Sequence, residues 1–286
     1  MAIAVTGATG QLGRIIIDQL RSRVPAQEIV AIVRNAGKGS DLGVELREAD
    51  YGSVSSLTRA FAGVDTLMLI SGSEIGQRIQ QHANVISAAA QQGVKRIVYT
   101  SLLNAESSPM SLAPEHVATE QALKASGLNY TILRNGWYTE NYTASIGAAL
   151  ANNAFYGSAR DGKISSAPRA DYAEAAAIVL TTQGHDGKLY ELAGDDAYTL
   201  SDLAGEISRQ TGKEVPYVDI PVNDYAAALK QAGLPEAFAL GLASWDVDAA
   251  NGALFNQDHQ LSKLLGRPTT PFDDVVKGEL GRLAAR

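Results

Sequence analysis

The sequence predicts an α/β protein built on a doubly wound parallel sheet, with a smaller C-terminal α/β lobe. Two observations lead there. Short runs rich in Ile and Val alternate with helix-spaced stretches through the first half of the chain, the pattern of a parallel sheet covered on both faces. The first such run, "AIAVTG", leads straight into a turn punctuated by Gly7, Gly10 and Gly13.

Each element follows from local pattern. "AIAVTG" is short, apolar and closed by glycine, as a buried strand is. In "QLGRIIIDQLRSR", Leu12, Ile16 and Leu20 share one helix face. "EIVAIVR" is the second strand and, after the loop "NAGKGSDL", "VELREAD" is the third. "SVSSLTRAFAG" is a helix that Ser53 or Ser55 can cap. "VDTLMLIS" is the fourth strand, "EIGQRIQQHANVISAAAQQG" a long helix, and "VKRIVYTSL" the fifth strand. "LAPEHVATEQALKASG" is helical and "LNYTILRN" is the sixth strand. The right-handed crossover rule winds these units into a Rossmann-type sheet.

After about Asn135 the rhythm changes. "ENYTASIGAALANN", "RADYAEAAAIVLTT", "LSDLAGEISRQTG", "VNDYAAALKQAG" and "PFDDVVKGELGRLAA" read as helices, "KLYELAG" and "VPYVDI" as strands. The expected division is residues 1–134 as the sheet core and 135–286 as a mixed segment that completes the sheet and forms the second lobe. A cleft between the two halves is the expected ligand site, because open sheets bind at the carboxyl ends of their strands.

The 286 residues can bury a large core, and 45% hydrophobic with 19% charged residues fits a soluble globular chain. A net charge of −7 argues against nucleic acid or an anionic membrane as partner. The absence of cysteine excludes disulfides, thiol nucleophiles and thiolate metal sites, and four scattered histidines form no zinc motif. No signal peptide or membrane span is read, so a cytoplasmic location is expected. A homodimer is left open.

The glycine turn carries the first chemistry. Its spacing is G-x-x-G-x-x-G, between a strand and a helix at the head of an alternating chain. Gly7 suits the tight turn, Gly10 lets backbone approach phosphates, and Gly13 lets the helix pack close to the strand. Exposed N–H groups at the helix start would then receive a pyrophosphate, with Thr9 and Gln11 offering side chains. The second strand ends in Arg34 where NAD-binding folds place an acid, and Lys38 follows. A guanidinium there clamps a 2′-phosphate, so NADPH is the expected cofactor, with NADH left open. Asp50 and Tyr51 follow the third strand, on the adenine side or as a helix cap, and Ser71, Gly72 and Ser73 follow the fourth, where small residues let a cofactor cross the sheet edge.

None of the eleven tyrosines has lysine four residues later, the pair that assists simple ketone reduction. Its absence favours an acceptor that needs little acid catalysis, and an electron-poor quinone fits, with hydride passing directly from the nicotinamide. Candidate proton donors are Tyr138, with Asn141 on a polar rim, and His116, one turn from Glu120 on a helix; His116 also reads as a cofactor or substrate contact or as a structural contact. In "RNGWYTEN", Asn135 and Gly136 border the nicotinamide, Trp137 and Tyr138 form an aromatic wall, and Thr139, Glu140 and Asn141 continue the rim. His82 is expected on a surface or interface, and Phe238 and Trp245 over the substrate pocket or in the lobe core.

"TGATGQLG" (Thr6–Gly13), "IVAIVRN" (Ile29–Asn35), "ADYG" (Ala49–Gly52), "YTSLLNA" (Tyr99–Ala105), "RNGWYTEN" (Arg134–Asn141), "RADYA" (Arg169–Ala173) and "YELAGD" (Tyr190–Asp195) span nearly the whole chain. Together they resemble the NmrA-like atypical short-chain dehydrogenase/reductase family, and within it the bacterial NAD(P)H:quinone oxidoreductase branch. The resemblance implies two-electron reduction of a small quinone by NADPH. It also implies phosphate contacts from Gly7 to Leu12, a 2′-phosphate contact from Arg34, cofactor contacts from Ser71 to Ser73, a nicotinamide side from Asn135 to Glu140, and closure by Ser166. Two alternatives stand beside it: a non-catalytic NADP(H)-binding redox sensor, and a reductase of another acceptor such as a dye or flavin.

Overall fold

A computed structural model of the protein describes residues 1–285. In chain order its elements begin β1 (Ile3–Val5), α1 (Gln11–Arg21), β2 (Ile29–Val33), β3 (Glu45–Glu48), α2 (Val54–Ala60), β4 (Thr66–Leu69) and α3 (Arg78–Gln91). They continue with β5 (Arg96–Leu102), α4 (Ala113–Ala125), β6 (Asn129–Asn135), α5 (Glu140–Thr143), α6 (Ile146–Asn152), β7 (Phe155–Gly157) and α7 (Arg169–Thr181). The last are β8 (Leu189–Leu192), α8 (Leu200–Thr211), β9 (Tyr217–Asp219), α9 (Val222–Gln231), α10 (Glu236–Ala250), α11 (Gln260–Leu265) and α12 (Phe272–Ala284).

The chain forms two compact units. The first comprises Met1–Glu106, Leu112–Asn135 and Arg169–Leu192. Its sheet has seven parallel strands in the order β3-β2-β1-β4-β5-β6-β8. Every residue of β1, β2 and β4 is buried, because helices cover both faces and the strand sequences are apolar but for Thr66. One face packs Leu57, Phe61, Leu67, Leu69, Val85, Ile97 and Tyr99 into a continuous core. The strand order reverses at β1, which pairs with β2 on one side and β4 on the other, so the carboxyl end of β1 is the topological switch point.

Two elements from beyond residue 135 belong to this unit. β8 pairs with β6 along Ile132–Asn135, covering what would be an open edge, and α7 packs on α1. The chain beyond residue 134 thus supplies both an edge strand and a helix to the first unit. β6 is further held through Arg134, which donates Nε and Nη2 to the two Glu120 carboxylate oxygens at 2.8 and 2.7 Å and Nη1 to Glu191 at 2.8 Å. Glu191 in turn accepts the Asn104 amide, so this buried cluster ties together the ends of β5, β6 and β8. Removing one partner of such a set leaves an uncompensated buried charge, at a cost of about 3–5 kcal/mol.

Three expectations are corrected. The helix read from Glu74 begins only at Arg78, because Gly76 at φ +87° turns the chain out of helix first. "ENYTASIGAALANN" is two short helices, α5 and α6. α10 had no counterpart in the sequence reading, since Ala and Gly dilute the apolar stripe of "EAFALGLASWDVDAA".

The second unit contains Ser107–Ser111, Gly136–Pro168 and Ala193 onward. Its small sheet is the parallel pair β7-β9. Asp246 of α10 is buried against it, accepting the Ser158 amide at 2.9 Å and the Tyr142 hydroxyl at 3.3 Å. Burial is the main cause that pushes its carboxyl up to about 6. No helix among the described residues is long and apolar enough to cross a membrane.

The raised acid makes stability fall with pH. The folded chain retains a proton on Asp246 that the unfolded chain gives up near pH 4, so this contribution is complete below pH 4 and is lost as pH rises towards about 6. Asp246→Asn keeps the shape, accepts from Ser158 and donates to Tyr142. Its stability relative to wild type should improve by about 2–3 kcal/mol between pH 4 and pH 7 in chemical denaturation. Parallel pH profiles for the two proteins would contradict the assignment.

Candidate active site

The turn after β1 shows why each glycine is there. Gly7 has φ +60°, a conformation that costs an L side chain about 1–2 kcal/mol. The Gly10 amide donates to the Gly7 carbonyl at 2.9 Å and tightens the corner. A methyl at Gly13 would collide with the Gly7 carbonyl oxygen and stand 2.8 Å from Ala8 Cα. Gly13 thus lets α1 start directly against the turn. Gly10 is the N-cap of α1 and supplies no side-chain cap, and the first turn has no acid. Its amides and the positive end of the helix dipole therefore face whatever binds there.

In the first unit a groove of about 650 Å³ opens at this turn, within the range of small-molecule sites. Gly7, Thr9 and Gly10 form one part of it, Ile32, Val33 and Arg34 another, and Ser71, Gly72, Ser73 and Glu74 the opposite wall. Three cations border it: Arg14, Arg34 and Lys38. Arg14 is engaged, with Nη1 on Asp41 and Nη2 on the Lys38 carbonyl, both at 2.6 Å, and it thereby braces the loop that carries Lys38. Arg34 Nη1 reaches Glu74 at 3.0 Å. Asp50 accepts the Gly52 amide and closes a local turn, while Ser53 is the cap of α2.

The floor and far wall are tied to buried polar groups. The Tyr51 hydroxyl donates its proton to the Ile70 carbonyl at 2.8 Å and is hydrogen-bonded to the Thr6 hydroxyl at 2.5 Å, joining the ends of β1, β3 and β4. His82 is fully buried, not at a surface. Gly72 N–H donates to its Nε2 at 3.0 Å, so the neutral ring carries its proton on Nδ1 and donates it to Thr119 Oγ1 at 2.9 Å. Burial, with Arg78 nearby, lowers its pKa to about 3 and keeps it in that form. Arg78 donates to the Gly72 carbonyl and pairs with Glu115, which accepts the Gly76 amide. The segment after β4 is thus held at Gly72 and Gly76 by side chains of α3 and α4.

His116 is buried too, its Nδ1 2.7 Å from the Tyr99 hydroxyl. Burial and Arg78 hold its pKa near 3, and it does not line the groove. A group so placed is a core contact, which corrects the proton-donor expectation for His116. Among the glycine-turn residues, Ala8, Leu12 and Gly13 are buried under the turn, and Gln11 is exposed at the start of α1.

Asn135 and Gly136 are buried where β6 ends. In the second unit, Trp137–Thr139 pairs with the strand-like segment around Ala167: Thr139 N–H donates to the Ala167 carbonyl at 3.0 Å, and Ala167 N–H to the Trp137 carbonyl at 3.2 Å. A buried hydroxyl chain, Thr139 to Ser166 at 2.8 Å and Ser166 to Tyr198 at 2.6 Å, locks that pairing. Tyr138, Glu140 and Asn141 are half-buried, and the Asn141 amide donates to the Tyr138 carbonyl. Trp137 meets Trp245 edge-on at 5.8 Å, and Phe238 meets Trp245 at 6.2 Å, so the expected aromatic residues gather in one cluster.

Sequence reading missed Arg14, Glu74 and Gln81 as groove residues. Arg14 faces the groove from the first turn of α1, where a basic residue looks like an ordinary helix charge. Glu74 and Gln81 come to the groove only because the chain turns at Gly76, for which "SEIGQR" contains a signal in its glycine.

A parallel sheet with its glycine turn at the switch point, and cations at the end of the second strand, defines a dinucleotide-binding protein of the doubly wound class. The chain belongs to the NAD(P)H-binding family, whose model matches residues 7–183. It is 56% identical over 277 residues to Quinone oxidoreductase 2 of Escherichia coli strain K12, covering 96% of this chain and 97% of that one. The crystal structure of the NADPH-dependent quinone oxidoreductase QOR2 of E. coli complexed with NADPH superposes with a TM-score of 0.94 at 55% identity, covering 96% of this chain and 99% of that one. The Citrobacter sp. triphenylmethane reductase complexed with NADP(H) also superposes at 0.94, with 40% identity over 98% of this chain and all of that one (100%).

Gly13→Ala tests the turn. The methyl forces α1 or the Gly7 carbonyl to move, at about 1–3 kcal/mol. The variant should melt several degrees lower and bind NADPH at least tenfold more weakly in a fluorescence titration. Unchanged affinity would mean that this approach does not shape the groove.

Proposed function

We propose that the protein is an NADPH-dependent reductase that transfers two electrons to a small quinone. The observation that carries this reading is the cationic groove at the glycine turn, in a chain so closely related over its full length to an E. coli quinone oxidoreductase. The residues fit the cofactor: the side-chain-free turn at Gly7 and Gly10 admits a pyrophosphate to the α1 amides. Arg34 and Lys38 offer a planar fork and a point charge to a 2′-phosphate. Ser71, Gly72 and Ser73 leave the strand edge uncrowded. When bound, NADPH supplies the hydride.

The chain's own part is chiefly to position and exclude water. We assign the nicotinamide and acceptor side to Asn135–Asn141, which starts at the carboxyl end of β6, the sheet edge at which open α/β folds bind ligands. Trp137, with Trp245 and Phe238, offers an apolar face of the kind a flat quinone ring prefers. Tyr138 is the candidate proton donor and Asn141 a polar group on the rim, while Ser166 acts by fixing Thr139. The second acceptor class is a triarylmethane dye, favoured by the likeness to the Citrobacter reductase. A cytoplasmic location and a homodimer are proposed with this reading.

Steady-state oxidation of NADPH with a series of benzoquinones tests it. Turnover well above the uncatalysed rate is expected, with quinones outperforming dyes. No turnover together with tight NADP+ binding would favour the redox sensor. Arg34→Ala should raise KM for NADPH about tenfold or more, the loss of a charge-assisted contact, and leave KM for NADH nearly unchanged. Equal changes for both cofactors would refute the role of Arg34. Tyr138→Phe should lower kcat about tenfold with KM for NADPH unchanged, and an undiminished kcat would move the proton source to water.

A further inference from the structure

We infer that Glu74 sets cofactor discrimination: its carboxylate competes with a 2′-phosphate for the Arg34 guanidinium, so the chain tolerates NADH better than its cations alone would allow. The inference rests on the NADPH reading above and adds a residue that opposes it.

Glu74 Oε1 is 3.0 Å from Arg34 Nη1, across the groove that both residues line. Its other oxygen, Oε2, accepts Gln81 Nε2 of α3 at 2.8 Å. That second bond matters. Gln81 sits one residue before His82, and the same stretch of α3 carries Arg78, the two groups that hold Gly72. Glu74 is therefore held over the groove from a side that Arg34 does not control. If Arg34 turns to a phosphate, the carboxylate stays nearby.

A carboxylate and a phosphate want the same planar donor fork. The 2′-phosphate carries about −1.5 to −2 charge at neutral pH, so its arrival sets like charges around one guanidinium. Lys38, whose ammonium has no ion pair among the described residues, supplies the compensating cation and keeps the phosphate acceptable. A ribose with a free 2′-hydroxyl makes no such demand, and the Arg34–Glu74 pair can persist beside it. Because Arg34 is 70% and Glu74 50% exposed, the coupling is worth only a few-fold in affinity and is sensitive to salt.

The test is calorimetric titration of 2′,5′-ADP and 5′-AMP, which differ only in the 2′-phosphate and lack the nicotinamide, into wild type, Glu74→Gln, Glu74→Ala and Arg34→Ala. Both Glu74 variants should bind 2′,5′-ADP about two- to five-fold more tightly than wild type at low ionic strength, with the gain shrinking at high salt. Neither should gain affinity for 5′-AMP. If wild type prefers 2′,5′-ADP, loses that preference in Arg34→Ala, and yet binds it no more weakly than the Glu74 variants do, the inference about Glu74 is overturned while the NADPH reading stands. If wild type shows no preference for 2′,5′-ADP and Arg34→Ala changes nothing, both are overturned together.

Discussion

The groove depends on how closely α1 can approach the end of β1. That approach requires a glycine at position 13, where any side chain would run into the Gly7 carbonyl, and a residue at position 7 that takes the left-handed conformation of the turn. With both satisfied, the uncapped amides at the start of α1 meet the carboxyl end of a buried strand. An anion there gains from hydrogen bonds and from the helix dipole at once. Everything else around the groove either holds this corner in place or adds charge to it.

The holding is done by groups that are buried and satisfied. Thr6 and Tyr51 bind the ends of three strands, and neutral His82, with Arg78 and Glu115, holds the segment after β4. These contacts are costly to break, because each would leave a polar group in a low-dielectric interior without its partner. The exposed charges behave differently. Arg34 and Lys38 are free to rearrange at small cost, which suits groups that must turn to a ligand. Rigid polar groups below and adjustable charges above are what a groove needs if it is to select one dinucleotide from another.

The sheet was legible because its strands are continuous apolar runs broken by glycine, and so was the phosphate corner, since Gly7, Gly10 and Gly13 sit in strand–turn–helix context. Arg34 was legible for a chemical reason: it stands where an acid would favour the unphosphorylated cofactor. The rest depended on contacts distant in sequence. Nothing local distinguishes His82 from a surface histidine on a polar helix face until Gly72 and Thr119 are brought to its two nitrogens. For His116 the sequence leaves an acid, a ligand contact and a structural contact open, and the Tyr99 hydroxyl and its burial reveal a core contact. β8 joins the first sheet across more than fifty residues of intervening chain, so which strand of the second half completes the sheet is set by its pairing with β6, Ile132 opposite Leu189, and not by local pattern.

Capture of a 2′-phosphate by Arg34 and Lys38 is read most directly from that phosphate itself. A ³¹P NMR titration of NADP+ bound to the protein follows the 2′-phosphate resonance as a function of pH. Its second ionisation lies near pH 6 when free, and two flanking cations favour the dianion, so the bound value should fall by about one unit or more. A 2′-phosphate that titrates in the complex as it does in free solution, or at higher pH, would contradict the central claim.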